Sequence, residues 1–575
     1  MKTFSFTFAL VLGVFLIGCS QQTEDQKFVA LAENFLEQFL ENNPEWATGL
    51  GDHRYDDRLG DYSSAGIQKD REFAMAYLDS LSMIDVKGLS PVNKTDYEIM
   101  ESSLQSWMFQ VDTLKEYEWN PRNYNPGYGI YSLIARDFAP VEERLKSIKG
   151  RLEQIPKVVA AAKENIKNPT KIHTETAISQ LGGTIGMVQH EVDRLLEEVP
   201  EMKAELAPAQ ETAIAALKEY VEWLQTEVLP NATGDFRIGD EKYRRKLYFA
   251  LESDYSKEEI LKRAEADLEA TQNALYETAL PFFKKQYPDR TDQKTLENRK
   301  KVIKAALDKL AEDVPTNKTI VDRAKGYMKE TTEFVRANNL VMVPDDPVKI
   351  IVMPEFQRGV AVAYCDSPGP LEEGGDTFYA ISPTPKDWSS KRVRSFFREY
   401  NNHMLKNLTV HEAMPGHYLQ LVHGNQFKAP TKIRAIFYSG TFVEGWATYA
   451  EQVMVEKGYG GPEVKMQMLK MRLRLIINSI IDQKIHTAGM TEEEAMDLMM
   501  NEGYQEEGEA TGKWKRACLT STQLSTYYVG NMELNALRKA YEAKHGGSTD
   551  MRTMHDAMLS YGSPAPKYVK AALEL

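Results

Sequence analysis

Two histidines and a glutamate lie close together at His411, Glu412 and His417. Imidazole side chains are common zinc ligands, and a glutamate beside the first histidine can take a proton from a water that the metal activates. Zinc brings the pKa of such a water to about 7, so hydroxide forms near neutral pH. The pattern predicts a hydrolytic zinc centre. The alternative is a helix end that carries two unrelated histidines.

The spacing of these histidines requires an irregular backbone. On a regular helix, residues four apart lie about 40° from eclipsed, whereas residues six apart point about 120° away from each other. Pro415 lacks the N–H that would bond to the carbonyl of His411, and Gly416 allows unusual backbone angles. We therefore expect the two extra residues to bulge out and to bring His417 back towards the metal.

A third ligand is expected downstream, in a second helix over 441–451, at a glutamate 27 residues beyond His417. Glu444 is the best candidate, because the apolar Phe442, Val443 and Trp446 surround it in sequence. Glu451 lies two turns further on, roughly on the same face, and is either a ligand or a supporting partner of one. The alternative is that both glutamates are solvated helix acids.

Several segments resemble one protein family. HEAMPGHYLQ, VEGWATYAE, QEEGEATGKWKRACLTSTQLSTYYVG and, more weakly, residues 48–57 look like the family known as domain of unknown function 885. That family is similar in turn to the helical zincin peptidases. The resemblance covers nearly the whole mature chain, and it implies Zn²⁺ ligation by His411, His417 and Glu444, with Glu412 as general base.

The resemblance also implies roles for C-terminal residues. Tyr527 would donate a hydrogen bond to the oxyanion formed during attack, although the adjacent Tyr528 is an alternative. His486 matches a family histidine and would contact substrate, or else it is a hydrogen-bonded structural residue. Many family members have a proline where Ser521 stands, which puts the local loop geometry in question but not the chemistry.

Two basic residues precede Tyr527, at Lys513 and Arg516. Either could pair with the terminal carboxylate of a peptide. The alternative is that both are solvated positions on a charged helix. Together with the resemblance, which implies a narrow channel between helices, they predict short peptides of a few residues as substrates.

The elements that must position these residues are mostly helices. Apolar residues recur at helical spacing in 209–229, and Ser256 with Glu259 and Thr491 with Glu494 form capping boxes. Three short β-prone runs at 349–353, 360–364 and 376–381 interrupt this pattern. We expect a mainly α fold with two helical lobes around a deep cleft and a small sheet beside the metal site. A peptide would lie along the edge strand of that sheet, which we place at 376–381.

The N-terminus predicts export and a lipid anchor. Residues 1–18 have a basic start and an apolar run typical of a signal peptide, and Cys19 ends a lipobox-like sequence. A plain signal with a chance cysteine is the alternative. Acyl chains on Cys19 would hold residues 19–27 as a tether at the membrane of a bacterial cell envelope. A helical lobe over 28–345 and a zincin-like catalytic lobe over 346–575 would follow.

Composition excludes some functions. The chain has 84 acidic and 70 basic residues and a net charge of −14, so it lacks the basic balance of a nucleic-acid-binding protein. In the mature chain beyond Cys19 only Cys365 and Cys518 remain, and they either pair or stay as thiols. Two other functions stay open: a helical substrate-binding lipoprotein, and a family member that has lost turnover. Neither gives a reason for the intact His411, Glu412, His417 and Glu444.

Overall fold

The computed structural model describes residues 22–345, 348–353, 362–372, 374–547 and 549–575. The predicted signal peptide and Cys19 lie outside these residues. The described chain is mainly α-helical with one small sheet, which confirms the predicted fold class. No helix among the described residues has both the length and the apolar character needed to cross a bilayer. The division at residue 345 stays a prediction.

The first nine helices form the N-terminal part. Helices α6 to α9 share one apolar core, and α1 to α4 form a second core that also buries Ile433, Ile436 and Tyr568 from the C-terminal part. As predicted, residues 209–229 are helical, with a wider π turn over 224–228. The helices are α1 Glu24–Asn42, α2 Pro44–Leu50, α3 Ser64–Ser82, α4 Pro91–Phe109, α5 Glu116–Trp119, α6 Gly127–Ala135, α7 Val141–Asn165, α8 Lys171–Leu196 and α9 Lys203–Trp223.

Five helices connect this part to the sheet. The capping box of Ser256 and Glu259 is present and begins the longest of them. Apolar residues of this helix, among them Leu275, pack against Leu469 and Leu473 further along the chain. The middle of the sequence is therefore built directly onto the C-terminal core. The helices are α10 Asp240–Leu251, α11 Lys257–Gln286, α12 Gln293–Glu297, α13 Arg299–Leu310 and α14 Ile320–Ala337.

The sheet has three strands, β1 Val348–Val352, β2 Ala363–Asp366 and β3 Thr377–Ile381, in the order β1-β3-β2. Strand β3 pairs in parallel with β1 and antiparallel with β2. The expectation that 376–381 is an edge strand is therefore wrong. Buried side chains such as Tyr379 and Ile381 give β3 the apolar character of a central strand, and β2 and β1 are the edges.

Among the remaining helices, α16, α19, α22 and α23 pack against α20, whose side chains are buried on all faces over most of its length, as expected for a central helix. The capping box of Thr491 and Glu494 is present at the start of α21. The helices are α15 Ser390–Glu399, α16 Asn402–Glu412, α17 His417–Gln426, α18 Ile433–Ile436, α19 Gly440–Glu456, α20 Gly461–Ala488, α21 Glu492–Asp497, α22 Glu507–Leu519, α23 Ser525–Lys544, α24 Met551–Leu559 and α25 Pro566–Ala572.

Candidate metal centre

The helix that carries His411 stops where the sequence predicts an interruption. Helix α16 ends at Glu412, and α17 begins at His417. Between them the chain turns back, so that the Gly416 N–H donates to the Val410 carbonyl at 2.9 Å. A Cβ on residue 416 would lie 1.9 Å from the His411 carbonyl oxygen, so only glycine fits this turn. The Met414–Pro415 peptide bond within it is cis.

This turn brings both histidines to one carboxylate. Oε2 of Glu444 lies 3.6 Å from Nε2 of His411 and 3.4 Å from Nε2 of His417. One nitrogen or oxygen from each residue lies within 4.8 Å of the others. The two rings are nearly perpendicular, with centroids 4.7 Å apart. The three residues that the sequence predicts as ligands therefore converge on a single point.

Glu451 contacts the His411 ring at the nitrogen opposite the one that faces Glu444. Its Oε1 lies 2.7 Å from Nδ1 of His411, which leaves the Nε2 of that ring facing Glu444. Its Oε2 accepts a hydrogen bond of 2.5 Å from the Asn407 side chain. Glu451 is thus a partner of His411, one of the two roles that the sequence left open. Asn407 was missed, although its position one turn before His411 on the same helix was a signal.

Trp446 fixes the turn to the helix that carries Glu444. The indole N–H donates to the Pro415 carbonyl at 2.8 Å, and the side chain is 1% exposed. Because Trp446 is two residues from Glu444 on α19, this bond ties the loop between the histidines to the third candidate ligand. The apolar residues predicted around Glu444 therefore include one, Trp446, that also makes a hydrogen bond to this loop.

The centre is a cluster of coupled charges. Burial alone would lower the pKa of His411, but the neighbouring carboxylates of Glu444 and Glu451 raise it well above its ordinary value. Burial alone would raise the pKa of Glu444, but the two imidazoles hold it well below its usual range. Burial raises the pKa of Glu412 above its usual value. Glu444 therefore favours the anionic form that a ligand needs, while Glu412 holds a proton more readily than a surface glutamate.

The two adjacent tyrosines face different surroundings. The Tyr528 side chain is 2% exposed, and its hydroxyl donates to Oδ2 of Asp267 at 2.8 Å within a core of α10, α11 and α20. The Tyr527 hydroxyl lies 3.1 Å from Nη2 of Arg516, and burial, with a contribution from the Glu444 charge, raises the pKa of Tyr527 to about 12. Of the two tyrosines, Tyr527 is therefore the one whose pKa the Glu444 charge affects, whereas Tyr528 is bonded to Asp267.

The two basic residues predicted to contact substrate lie one turn apart on α22. Arg516 also donates to Oε1 of Gln523 at 2.8 Å. Nζ of Lys513 is 3.9 Å from Oε1 of Glu509, and burial lowers the pKa of Lys513 to about 8. The charge of Glu444 acts on both groups. Lys513 and Arg516 are therefore near enough to Glu444 for its charge to influence their pKa values, and Lys513 is not a solvated surface residue.

His486 has structural partners. Its Nε2 lies 2.9 Å from the Ala517 carbonyl and 2.8 Å from the Thr520 carbonyl, at the end of α22. The side chain is 3% exposed, and the ring stacks on Tyr243. It is not one of the three residues that converge as candidate ligands. The geometry favours the structural role for His486, which positions the loop before α23.

Two cavities lie next to this region. The larger, of about 960 Å³, is lined mainly by residues from 116–131, 173–187 and 518–526, among them Gln523 and Thr526, which precede Tyr527 at the start of α23. The smaller, of about 220 Å³, is lined by β2, including Cys365, whose thiol the Glu412 charge influences. Neither the candidate ligands nor Tyr527 line the larger cavity, but Gln523, which does, has its Nε2 3.5 Å from the Tyr527 hydroxyl. Cys365 and Cys518 carry free thiols.

Fold and site together define a mainly helical protein with a partly buried His-His-Glu cluster that could hold a metal ion. Residues 44–573 match the family described as bacterial protein of unknown function, DUF885, and the chain belongs to this family. The resemblance to this family is thereby confirmed, and the similarity to the helical zincin peptidases stays a prediction. None of the curated proteins compared with the chain matches it.

Solved structures give the same fold. The chain is similar to a "putative lipoprotein of unknown function" from Shewanella oneidensis, with 33% identity and a TM-score of 0.81 over 95% of this chain and 100% of that one. A "putative lipoprotein" from Colwellia psychrerythraea has 18% identity and a TM-score of 0.79, over 96% of this chain and 99% of that one. The second likeness concerns the fold alone.

Proposed function

We propose that this protein is a zinc-dependent peptidase that hydrolyses short peptides, with Glu412 as general base. One observation carries the proposal: nitrogen and oxygen atoms of His411, His417 and Glu444 meet within 4.8 Å, with Glu451 hydrogen-bonded behind the first histidine. Structural ion pairs seldom combine two imidazoles, a partly buried carboxylate and a second carboxylate that orients one of the imidazoles.

The residues fit zinc in geometry as well as in type. Ligand atoms about 2.0–2.2 Å from a tetrahedral ion lie roughly 3.3–3.6 Å apart. The separations of 3.6 and 3.4 Å between Glu444 and the two histidines fall in this range. Oε2 of Glu444 is buried and has no hydrogen-bond partner among the described residues, as expected of an oxygen that binds a metal ion. Three protein ligands leave a fourth position open, which is typical of catalytic zinc.

A zinc ion held there would supply an activated water and polarise the substrate carbonyl. Glu412 follows His411 directly and is buried beside the same imidazoles. Its carboxylate would take a proton from the attacking water and later deliver it to the leaving amine. The raised pKa of Glu412 suits both halves of this task, because a group that takes a proton and returns it needs intermediate basicity.

Tyr527 would stabilise negative charge on the substrate. Its hydroxyl is a hydrogen-bond donor, and the positive Arg516 beside it strengthens that donation. In this role Tyr527 would donate to the oxyanion that forms on the substrate carbonyl. Lys513 and Arg516 would add positive charge for an anionic group of the peptide.

The proposed substrate is a short, unfolded peptide. Strand β2 is an edge strand that lines the smaller cavity, and its free backbone groups could pair with an extended peptide. Because residues from distant parts of the chain line both cavities, we expect a few residues of extended chain to fit there better than a folded protein.

The proposal includes a lipid anchor on Cys19 that holds the enzyme in a bacterial cell envelope. The lipobox-like sequence supports it, and so do structural relatives described as putative lipoproteins. Acyl chains and not a membrane-spanning helix would then carry the attachment. Cys19→Ser should release the protein from the membrane fraction of cells, and unchanged membrane association would refute the anchor.

Digestion of a mixed peptide library, read by mass spectrometry, tests the activity. Zinc-loaded wild type should cleave short peptides, and Glu412→Gln should keep the zinc but lose most turnover, because the amide cannot take the proton. Peptide binding without zinc or cleavage would instead support a helical binding lipoprotein. Cleavage of no peptide by a zinc-loaded protein would direct attention to other amide or ester substrates.

A further inference from the structure

The larger cavity is lined by apolar residues and by many neutral polar side chains, with few charges. Apart from two histidines, its described lining contains three charged residues, Glu116, Arg122 and Lys246. Glu116 and Lys246 form an ion pair with 2.9 Å between Oε1 and Nζ, so their charges offset each other. Arg122 therefore gives the cavity wall one uncompensated positive charge.

Arg122 lacks a carboxylate partner. Its Nε donates to Oε1 of Gln180 at 3.2 Å, and its Nη1 donates to the Leu519 carbonyl at 3.4 Å. Among the described residues no carboxylate lies within ion-pair distance of this guanidinium, and Glu116, whose charge acts on it from further away, is itself paired with Lys246. Arg122 is half-buried, and a guanidinium stays protonated even where burial lowers its pKa. A partly desolvated, unpaired cation with free N–H groups gains from an incoming carboxylate.

The cations on α22 are placed differently. Lys513 faces Glu509, and Arg516 is engaged by Gln523 and Tyr527. Arg122 binds the last carbonyl of the same helix, Leu519, about one turn beyond Arg516. A carboxylate at Arg122 would thus lie in the cavity and not at the reacting atoms.

The neutral groups of the cavity suit a peptide. Asn123, Asn125, Gln180 and Gln523 offer amide groups, which can both donate to and accept from a peptide backbone. Gln523 also connects the cavity to the site, because its Nε2 lies 3.5 Å from the Tyr527 hydroxyl. A peptide in the cavity would therefore reach the metal centre past Tyr527.

We infer that the larger cavity binds a carboxylate-bearing part of the substrate and that Arg122 is the residue that holds this carboxylate. The inference rests on the proposed peptidase function for the nature of the ligand. The carboxylate is either the terminus of the peptide or an acidic side chain, and both present the same planar group to the guanidinium.

Calorimetric titration of the full mature chain carrying Glu412→Gln tests this, because the peptides then stay intact. Three peptides of one length are compared at low salt: a neutral peptide with an amidated terminus, the same peptide with a free terminal carboxylate, and the amidated peptide with one internal glutamate. At least one carboxylate-bearing peptide should bind about tenfold more tightly than the neutral amide. The one that does identifies the source of the carboxylate.

Variants of Arg122 test whether this residue causes the preference for carboxylate-bearing peptides. Arg122→Gln should abolish the preference for the carboxylate while leaving the affinity for the neutral amide within about twofold, and Arg122→Lys should restore part of it. The matched control is the double variant Glu116→Gln/Lys246→Gln, which removes the paired charges of the same cavity without changing its net charge. This control should keep the full preference.

The inference would be overturned if the Glu412→Gln chain with Arg122 intact bound all three peptides with equal affinity, or if the preference persisted in Arg122→Gln. An equal loss of affinity for every peptide in Arg122→Gln would also overturn it, since Arg122 would then only brace Gln180 and Leu519. The carboxylate site and the proposed peptidase activity can be refuted independently of each other. A carboxylate preference that depends on Arg122, in a zinc-loaded protein that cleaves nothing, would refute the peptidase and leave the binding site standing.

Discussion

Gly445 and Gly530 mark the point where helices α19 and α23 cross with their backbones in contact. A Cβ on Gly445 would lie 2.7 Å from the carbonyl carbon of Gly530, and a Cβ on Gly530 would lie 2.2 Å from the Thr441 carbonyl oxygen. Glu444 precedes the first glycine, and Tyr527 lies one turn before the second. The contact therefore sets the separation between a candidate metal ligand and the candidate oxyanion donor.

Gly530→Ala should force these helices apart and lower the free energy of unfolding by about 1–3 kcal/mol, as overpacking of a close contact does. Turnover should fall further than stability explains, because Tyr527 moves relative to Glu444. Urea unfolding and peptide cleavage measure the two effects. Gly182→Ala, at a helical glycine of α8 with open space around its Cβ position, is the control and should be neutral or slightly stabilising.

His411→Ala and His417→Ala should each abolish high-affinity zinc binding, because each removes one of three ligands. Metal analysis of purified protein should find about one zinc per wild-type chain and close to none in either variant. His423→Gln is the matched control: His423 lies on α17 with His417 but its Nε2 bonds to the Met342 carbonyl, so zinc should be retained. Full zinc occupancy in both alanine variants would refute the ligand assignment.

Glu451→Gln should weaken zinc binding by about 10- to 100-fold, because the amide no longer holds the His411 ring with a negative charge. Competition with a chelator measures the affinity. Glu456→Gln, on the same helix but paired with Arg538 at the surface, should leave it unchanged. Equal affinities for wild type and Glu451→Gln would show that Asn407 and packing alone orient the histidine.

Tyr527→Phe should retain zinc and slow turnover by about 10²- to 10³-fold if the hydroxyl donates to the oxyanion. Tyr528→Phe removes a hydroxyl bonded to Asp267, so it should cost about 1 kcal/mol of stability with little change in turnover. Steady-state rates on one cleaved peptide separate the two. The reverse pattern, a slow Tyr528→Phe beside an unaffected Tyr527→Phe, would contradict the orientation of the two side chains.

Local sequence determined much of this protein. Helical periodicity and capping boxes are short-range properties, so the mainly α class, the helix over 209–229 and the ends at Ser256 and Thr491 followed from neighbouring residues. The break between His411 and His417 followed from Pro415 and Gly416 in the same way. Glu444 was predictable because its spacing and apolar neighbours suggested a ligand helix.

Contacts between distant segments were decided only by the tertiary structure. Strand order is one such case, because pairing of β3 with both β1 and β2 depends on register between separate runs, and 376–381 is central and not an edge. The separation of Tyr527 from Tyr528 is another, since adjacent helical residues point about 100° apart and only packing selects which one faces the site. Arg122 gave no signal in sequence, because its significance lies in a cavity formed with residues 518–526 nearly four hundred positions away.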